Sequence, residues 1–255
     1  MNPLRALRYA RRYRNWRELA HARAAGEKPR RALLRDGTVF ESPEGVNVLR
    51  VVTPVFHRHV YTPRGLELRP EDNVVDVGAN VGAFAVYAAQ RTRGRVLAIE
   101  PHPDNAESLR RNLRANGAAG AEVEECAVAD AAGVLPLFLG RSGTTHQLFG
   151  ADHAQATGES LPVRVATLPQ LLAKHGIERV DFLKLDCEGA EYEILLAAPP
   201  EVFARTARIA LEYHDWMTEH HHDELRRLFE THGFAVTSRD HLPSRTGYLF
   251  AKKDG

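Results

Sequence analysis

The chain has 255 residues, 44% of them hydrophobic, with a net charge of +1. That is room for one substantial core with appendages, too little for two full domains, and too balanced a charge for wholesale nucleic-acid binding. Two cysteines, Cys126 and Cys187, are too few for a disulfide framework or a cysteine-based zinc site.

The charge is uneven: residues 1–35 hold ten arginines and Lys28 against Glu18 and Glu27, giving +9, and the remainder carries −8. Within that segment Leu4, Leu7, Ala10, Tyr13, Trp16 and Ala20 recur every three or four positions, which predicts one amphipathic helix with arginines on its other faces. We expect residues 1–35 to be a basic helical extension whose aromatic stripe packs on a domain of residues 36–255. Contact with an anionic membrane, glycolipid or nucleic acid is the alternative use of the arm. The sequence holds no apolar run of about 18 residues and no charged-apolar-small leader, so the expectation is a soluble, cytoplasmic protein with no transmembrane segment.

Around the turn signal Ser42-Pro43-Glu44-Gly45, β-branched and aromatic residues fill 37–52 and 55–61, which predicts short antiparallel strands. Strand-like and helix-like stretches then alternate. Strands are expected at 73–78 and 95–100, and helices at 81–91 and 103–117, the second with Leu109 and Leu113 on one face and Asn116-Gly117 as its stop. A strand-like run at 121–129, a polar loop at 139–159, a helix at 168–174, a strand at 179–186 and a helical stretch at 189–198 follow. The chain ends with a strand at 208–214, a helix at 223–233 and strands at 235–238 and 247–253. Such alternation predicts an α/β fold whose mostly parallel sheet is covered on both faces.

Ligands of such sheets bind beyond the carboxyl ends of the strands. The stretch "VVDVGANVG" (74–82) lies at such an end, with Gly78 and Gly82 four apart. Glycine there permits a sharp turn and close approach of backbone to ligand, although a plain strand-to-helix turn would use it equally. Glu100 ends the next strand, where an acid can accept both hydroxyls of a ribose. No G-x-x-x-x-G-K-[ST] or G-x-G-x-x-G pattern is present, and Asp76 suits a cationic or hydroxylated ligand better than a pyrophosphate. These residues together favour S-adenosylmethionine over a dinucleotide or ATP.

The blocks "VVDVGANVG", "AIEPHPDNAESLRRNLRANG", "CAVAD" and "VDFLKLDCEGAEYEIL" resemble the FkbM family of S-adenosylmethionine-dependent methyltransferases across residues 55–252. The last block carries Asp181, Lys184, Asp186, Glu188, Gly189 and Glu191 in the family's D-x-x-K-x-D-x-E-G-x-E order. The resemblance implies a class I, Rossmann-like methyltransferase sheet of seven strands, parallel apart from one antiparallel insertion near the C-terminal end. It implies that Asp76, Gly78, Ala79, Asn80 and Gly82 cradle the methionine part of the cofactor, with Glu100 and Pro101 at the ribose. The backbone near Cys126 and Ala127 would flank the adenine, although the family often has a small polar residue where Cys126 stands. Asp186 would lie near the methionine amine and the transferred methyl.

A hydroxyl acceptor needs a general base as its proton leaves. His214 is the expected base, with Glu212 or Asp186 orienting it or binding acceptor hydroxyls and Glu188 beside them; the acceptor would be a sugar, glycan or secondary metabolite. A nitrogen or peptide acceptor, or a non-catalytic binding protein using the basic arm, are the other readings. Lys184 is expected in a structural ion pair with a neighbouring acid, and Glu191 and Glu193 in a helix first turn. Asp186, Glu188, Glu212 and His214 also have donors suited to Mg²⁺ or Mn²⁺, though no metal is assigned. The run "EHHHDE" (219–224) is read as a solvated helix start whose adjacent histidines diverge, and Thr144, Thr145 and His146 as secondary acceptor contacts.

Overall fold

The structure, a computed structural model, describes residues 3–140, 146–148, 156–241 and 244–253. The chain begins with α1 (Pro3–Arg12) and α2 (Trp16–Ala24), where the sequence predicts one helix. The break has a local cause, because the Arg14 amide and the Asn15 side chain bond to the next segment rather than continue the helical turn that ends with Tyr13 N–H on the Tyr9 carbonyl. Arg14 N–H donates to the Leu33 carbonyl at 2.6 Å, and the Asn15 carboxamide accepts from Leu33 N–H at 3.0 Å and donates to the Arg31 carbonyl at 3.1 Å. Strands β1 (Arg31–Leu33) and β2 (Val39–Glu41) form an antiparallel pair across the expected 35/36 boundary. Tyr13 and Leu19 are fully buried in the same cluster as the central strands.

Of the strands expected over 37–52 and 55–61, the part from residue 48 to 58 is instead helix α3 (Val48–Arg58). Asn47 caps it by accepting Leu49 N–H at 3.1 Å, and Val48, Val52, Val55 and Phe56 bury one face at helical spacing. Here that spacing outweighed β-branched composition.

The central unit alternates as expected: β3 (Val74–Val77), α4 (Ala83–Ala89), β4 (Val96–Ile99), α5 (Pro103–Ala115) and β5 (Glu122–Glu124). The chain then leaves the main sheet for β6 (Ala127–Val128), β7 (Gly133–Gly140) and β8 (Ala156–Ala166), a separate three-stranded sheet in the order β6-β8-β7. The polar loop read over 139–159 therefore includes the ends of two paired strands. Next come α6 (Leu168–Lys174), β9 (Phe182–Leu185), α7 (Glu191–Leu196), α8 (Pro200–Ala204), β10 (Arg208–His214), α9 (His222–Thr231), β11 (Ala235–His241) and β12 (Thr246–Lys252).

The seven-stranded sheet runs β11-β12-β10-β9-β3-β4-β5. Strands β5, β4, β3, β9 and β10 are parallel, and β12 lies antiparallel between β10 and β11. Strand alternation divides the core. Val74, Ala98, Phe182 and Ala210 pack beneath α3, α4 and the N-terminal segment, whereas Val75, Leu97, Leu183 and Leu211 pack beneath α6, α7 and α9. Among the described residues no helix is long and apolar enough to cross a membrane.

Candidate active site

A cavity of about 290 Å³ opens at the carboxyl ends of β3, β4, β9 and β10. Gly78, Ala79, Asn80, Glu100, Pro101, Cys126 and Ala127 line one part of it, and Asp186, Glu188, Glu212 and His214 line another. Of the residues singled out for cofactor or catalysis, Asp76 and Gly82 stand apart from this lining.

Asp76 sits opposite Lys184 in the β3–β9 register and is fully buried, with Lys184 Nζ 3.0 Å from Oδ1. The same ammonium donates to the Gly78 carbonyl at 2.8 Å and the Val77 carbonyl at 3.3 Å. Burial works against the lysine's charge, but Asp76 and then Asp186 outweigh it and hold Lys184 above the ordinary lysine range. The acid expected to meet the cofactor thus acts one layer back, through the lysine that fixes the turn.

Both glycines of the turn make room for protein. Gly78 has φ +74°, and a Cβ there would stand 1.9 Å from the Asp186 carbonyl oxygen. Gly82 has φ +88°, and its Cβ would stand 2.4 Å from Leu109 Cδ1 on α5. The first glycine lets β3 and β9 end side by side and the second seats α4 against α5.

The turn also keeps its amide donors for itself. Gly78 and Ala79 N–H both donate to the Ile99 carbonyl, at 3.0 and 2.9 Å, and Asn80 N–H donates to Glu100 Oε2 at 2.8 Å. Those are the groups a pyrophosphate-binding loop would turn outward. What faces the cavity instead is carboxylate, which suits hydroxyl and ammonium donors. Glu100 is buried, accepts His102 N–H at 3.0 Å on Oε1, and is pushed by burial up to about 7 against those amide bonds.

At the other end, period-2 alternation puts Asp186, Glu212 and Tyr248 on the sheet face that Tyr61 covers, Glu212 and Tyr248 being register partners. The Tyr61 hydroxyl donates to Asp186 Oδ2 at 2.7 Å and lies 3.3 Å from Glu212 Oε2. Burial, then the neighbouring Asp186, raises Glu212; burial also raises Glu188. Tyr61 and Tyr248 were missed because their place depends on a connecting segment and an antiparallel pairing that no motif marks.

His214 is not arranged as the expected base. It is buried, with Nδ1 3.3 Å from Glu191 Oε1 and Nε2 3.8 Å from Glu188 Oε2. Burial opposes its charge, but Glu191 and then Glu188 hold the imidazole up to about 10. In its charged form the ring has no lone pair with which to take a proton. Glu191 itself is fully buried and accepts Cys187 N–H at 2.6 Å and Gly189 N–H at 2.9 Å, so it closes the turn after β9 as well as starting α7. Asp186, Glu191 and His214 bring donor atoms within 4.8 Å of one another, with Glu191 in place of the Glu188 and Glu212 of the sequence-based metal set.

Cys126 is buried in the wall, and burial raises its thiol to about 11, so it contributes as a small apolar group. His146 lines the cavity and stacks on His102 with ring centroids 4.4 Å apart; burial lowers it to about 4. Thr144 and Thr145 lie outside the described residues.

Residues 76–236 match the methyltransferase FkbM domain model. The chain is 30% identical over 232 residues to the 31-O-demethyl-FK506 methyltransferase FkbM of Streptomyces tacrolimicus, covering 77% of this chain and 88% of that protein. It is 32% identical over 232 residues to the AMB antimetabolite synthetase AmbE of Pseudomonas aeruginosa, covering 74% of this chain but only 11% of that much longer protein. Among solved structures, the methyltransferase FkbM of Methylobacillus flagellatus superposes with a TM-score of 0.50 at 20% identity, over 83% of this chain and 56% of that one, a likeness of fold.

Proposed function

The chain belongs to the FkbM family of methyltransferases, and we propose that it moves the methyl group of S-adenosylmethionine to a hydroxyl oxygen of a sugar, glycan or secondary metabolite in the cytoplasm. The observation that carries this reading is one cavity lined both by Glu100 with the Gly78–Asn80 turn and by the acids at the tips of β9 and β10. Glu100 has lone pairs for ribose hydroxyls, Asp186 is a partner for an ammonium, and the inward-turned amides disfavour a phosphate in the same place. When bound, S-adenosylmethionine supplies an electrophilic methyl on sulfonium.

The chain's own task is to hold an acceptor oxygen in line and take its proton; near-attack alignment is worth about 7–11 kcal/mol. We assign the proton to Glu212, which faces the cavity and shares the Tyr61 hydroxyl with Asp186. His214, within ion-pair reach of Glu191 and Glu188, holds those side chains in place. An oxygen acceptor is favoured because a carboxylate base serves a hydroxyl, and because the Streptomyces relative is named for a 31-O-demethyl acceptor. Incubating cell extract with the protein and isotopically labelled methyl donor tests this by mass spectrometry. A labelled O-methyl ether is expected; a label found only on nitrogen would refute the oxygen assignment.

A further inference from the structure

The histidine run at the start of α9, expected to splay into solvent, converges instead. His221 is the helix N-cap, with extended backbone at φ −127° and ψ 142°, while His222 begins the helix. The change of backbone conformation between them brings the two rings to a centroid separation of 4.2 Å. Both reach one oxygen of the buried Asp215: His222 Nδ1 lies 2.8 Å and His221 Nε2 3.5 Å from Oδ2.

The surroundings leave that oxygen to the histidines. The other oxygen, Oδ1, accepts the hydroxyl of the buried Tyr192 and His222 N–H at 3.0 Å. The far nitrogen of each ring faces a second acid, Asp223, with His221 Nδ1 3.2 Å from Oδ2 and His222 Nε2 3.9 Å from Oδ1. Tyr213 stacks on His222 at 4.2 Å and 15°, which fixes that ring. One carboxylate oxygen and two imidazole nitrogens, with donor atoms within 4.8 Å of one another, therefore converge, and a further carboxylate stands behind both rings.

We propose that Asp215, His221 and His222 form a binding site for a divalent first-row metal, zinc by ligand chemistry, with water completing a tetrahedral set. Two nitrogens and one oxygen suit zinc, and a carboxylate behind the ring is the usual device for setting which imidazole nitrogen faces the metal. With metal on His221 Nε2, Nδ1 carries the proton and donates to Asp223, giving up the Asp223 N–H it accepts at 3.3 Å in the present geometry. The site lies beside the methyl-transfer cavity but outside its lining, which includes His214 and not Asp215. It joins the end of β10 to the start of α9.

Calorimetric titration of the full chain with zinc chloride tests the proposal. One ion should bind per chain with a Kd on the order of 1 μM or tighter. His221→Ala and His222→Ala should each weaken binding by more than about 100-fold, beyond the loss expected for an outer partner. His220→Ala should leave binding unchanged, because His220 pairs with Glu224 at 3.0 Å and stacks on Tyr192 instead. His221 is the most exposed of the three ligands, so its variant decides the matter if His222→Ala fails to fold. No binding overturns the site, as does equal weakening by His220→Ala, which would indicate a loose histidine patch. Binding retained in His221→Ala but lost in Asp186→Asn would move the ion to the methyl-transfer cavity and overturn it too.

Discussion

Glu100→Gln separates the two burdens that Glu100 carries, burial of a charge and recognition of a ligand. Burial lifts this carboxyl from 4.5 to about 7 even though His102 and Asn80 donate amide hydrogens to it. A carboxyl whose pKa is raised by folding holds its proton more tightly in the folded state, so its ionisation destabilises the fold. That penalty is absent below 4.5 and complete above about 7. At about 1.4 kcal/mol per pH unit the interval corresponds to about 3 kcal/mol. Because the group is buried, solvent screening takes little of this away. Glutamine does not ionise, so the unfolding free energy of the variant minus that of the parent should rise by about 3 kcal/mol between pH 4 and pH 8. The amide must turn its NH₂ toward one of the two N–H donors, a cost on the order of 1–3 kcal/mol that is the same at every pH. The slope against pH is therefore the observable, read from urea melts by linear extrapolation. A difference that stays flat across this range would refute the account of a buried, destabilising Glu100.

Four further outcomes are expected. Lys184→Met strands the buried Asp76 carboxylate and should cost about 3–5 kcal/mol in the same melts, with most of it regained by adding Asp76→Asn; a single variant as stable as the parent would contradict the pairing. Glu212→Gln should lower kcat by about 10² to 10⁴-fold with cofactor affinity unchanged, and the parent's rate should rise with pH through a value above the ordinary carboxylate range; unchanged turnover would remove Glu212 as the base. Tyr13→Ala empties a fully buried site hydrogen-bonded to Thr53 at 2.8 Å and should cost about 3–5 kcal/mol, and deletion of residues 1–35 should prevent folding; a stable truncated protein would make the segment an appendage.

The central strands were legible because β3, β4 and β9 are short apolar runs buried on both faces, and such runs leave little choice of structure. Helix α3 was not, since Val48, Val51, Val52 and Val55 suggest a strand by composition while their spacing is helical. Strand β8 was hidden because Thr157, Gly158 and Glu159 are exposed and read as loop. In the site, Glu100 and Asp186 could be placed from strand ends alone. The roles of Asp76 and His214 could not, because each is set by a partner reached across the fold, Lys184 in the neighbouring strand for one and Glu191 at the start of α7 for the other. The convergence of His221 and His222 was invisible for a different reason. Adjacent residues diverge on a helix, but here one lies just outside it.

If the cavity at the carboxyl ends of β3 and β4 takes S-adenosylmethionine through Glu100, equilibrium binding of that compound at pH 8 will separate the parent from Glu100→Gln. One molecule should bind per chain, with affinity about 10-fold or more weaker in the variant, since each lost hydrogen bond to a charged group is worth about 1.5–3 kcal/mol. Equal affinity in the two proteins, or no binding to a folded parent at millimolar ligand, would contradict it.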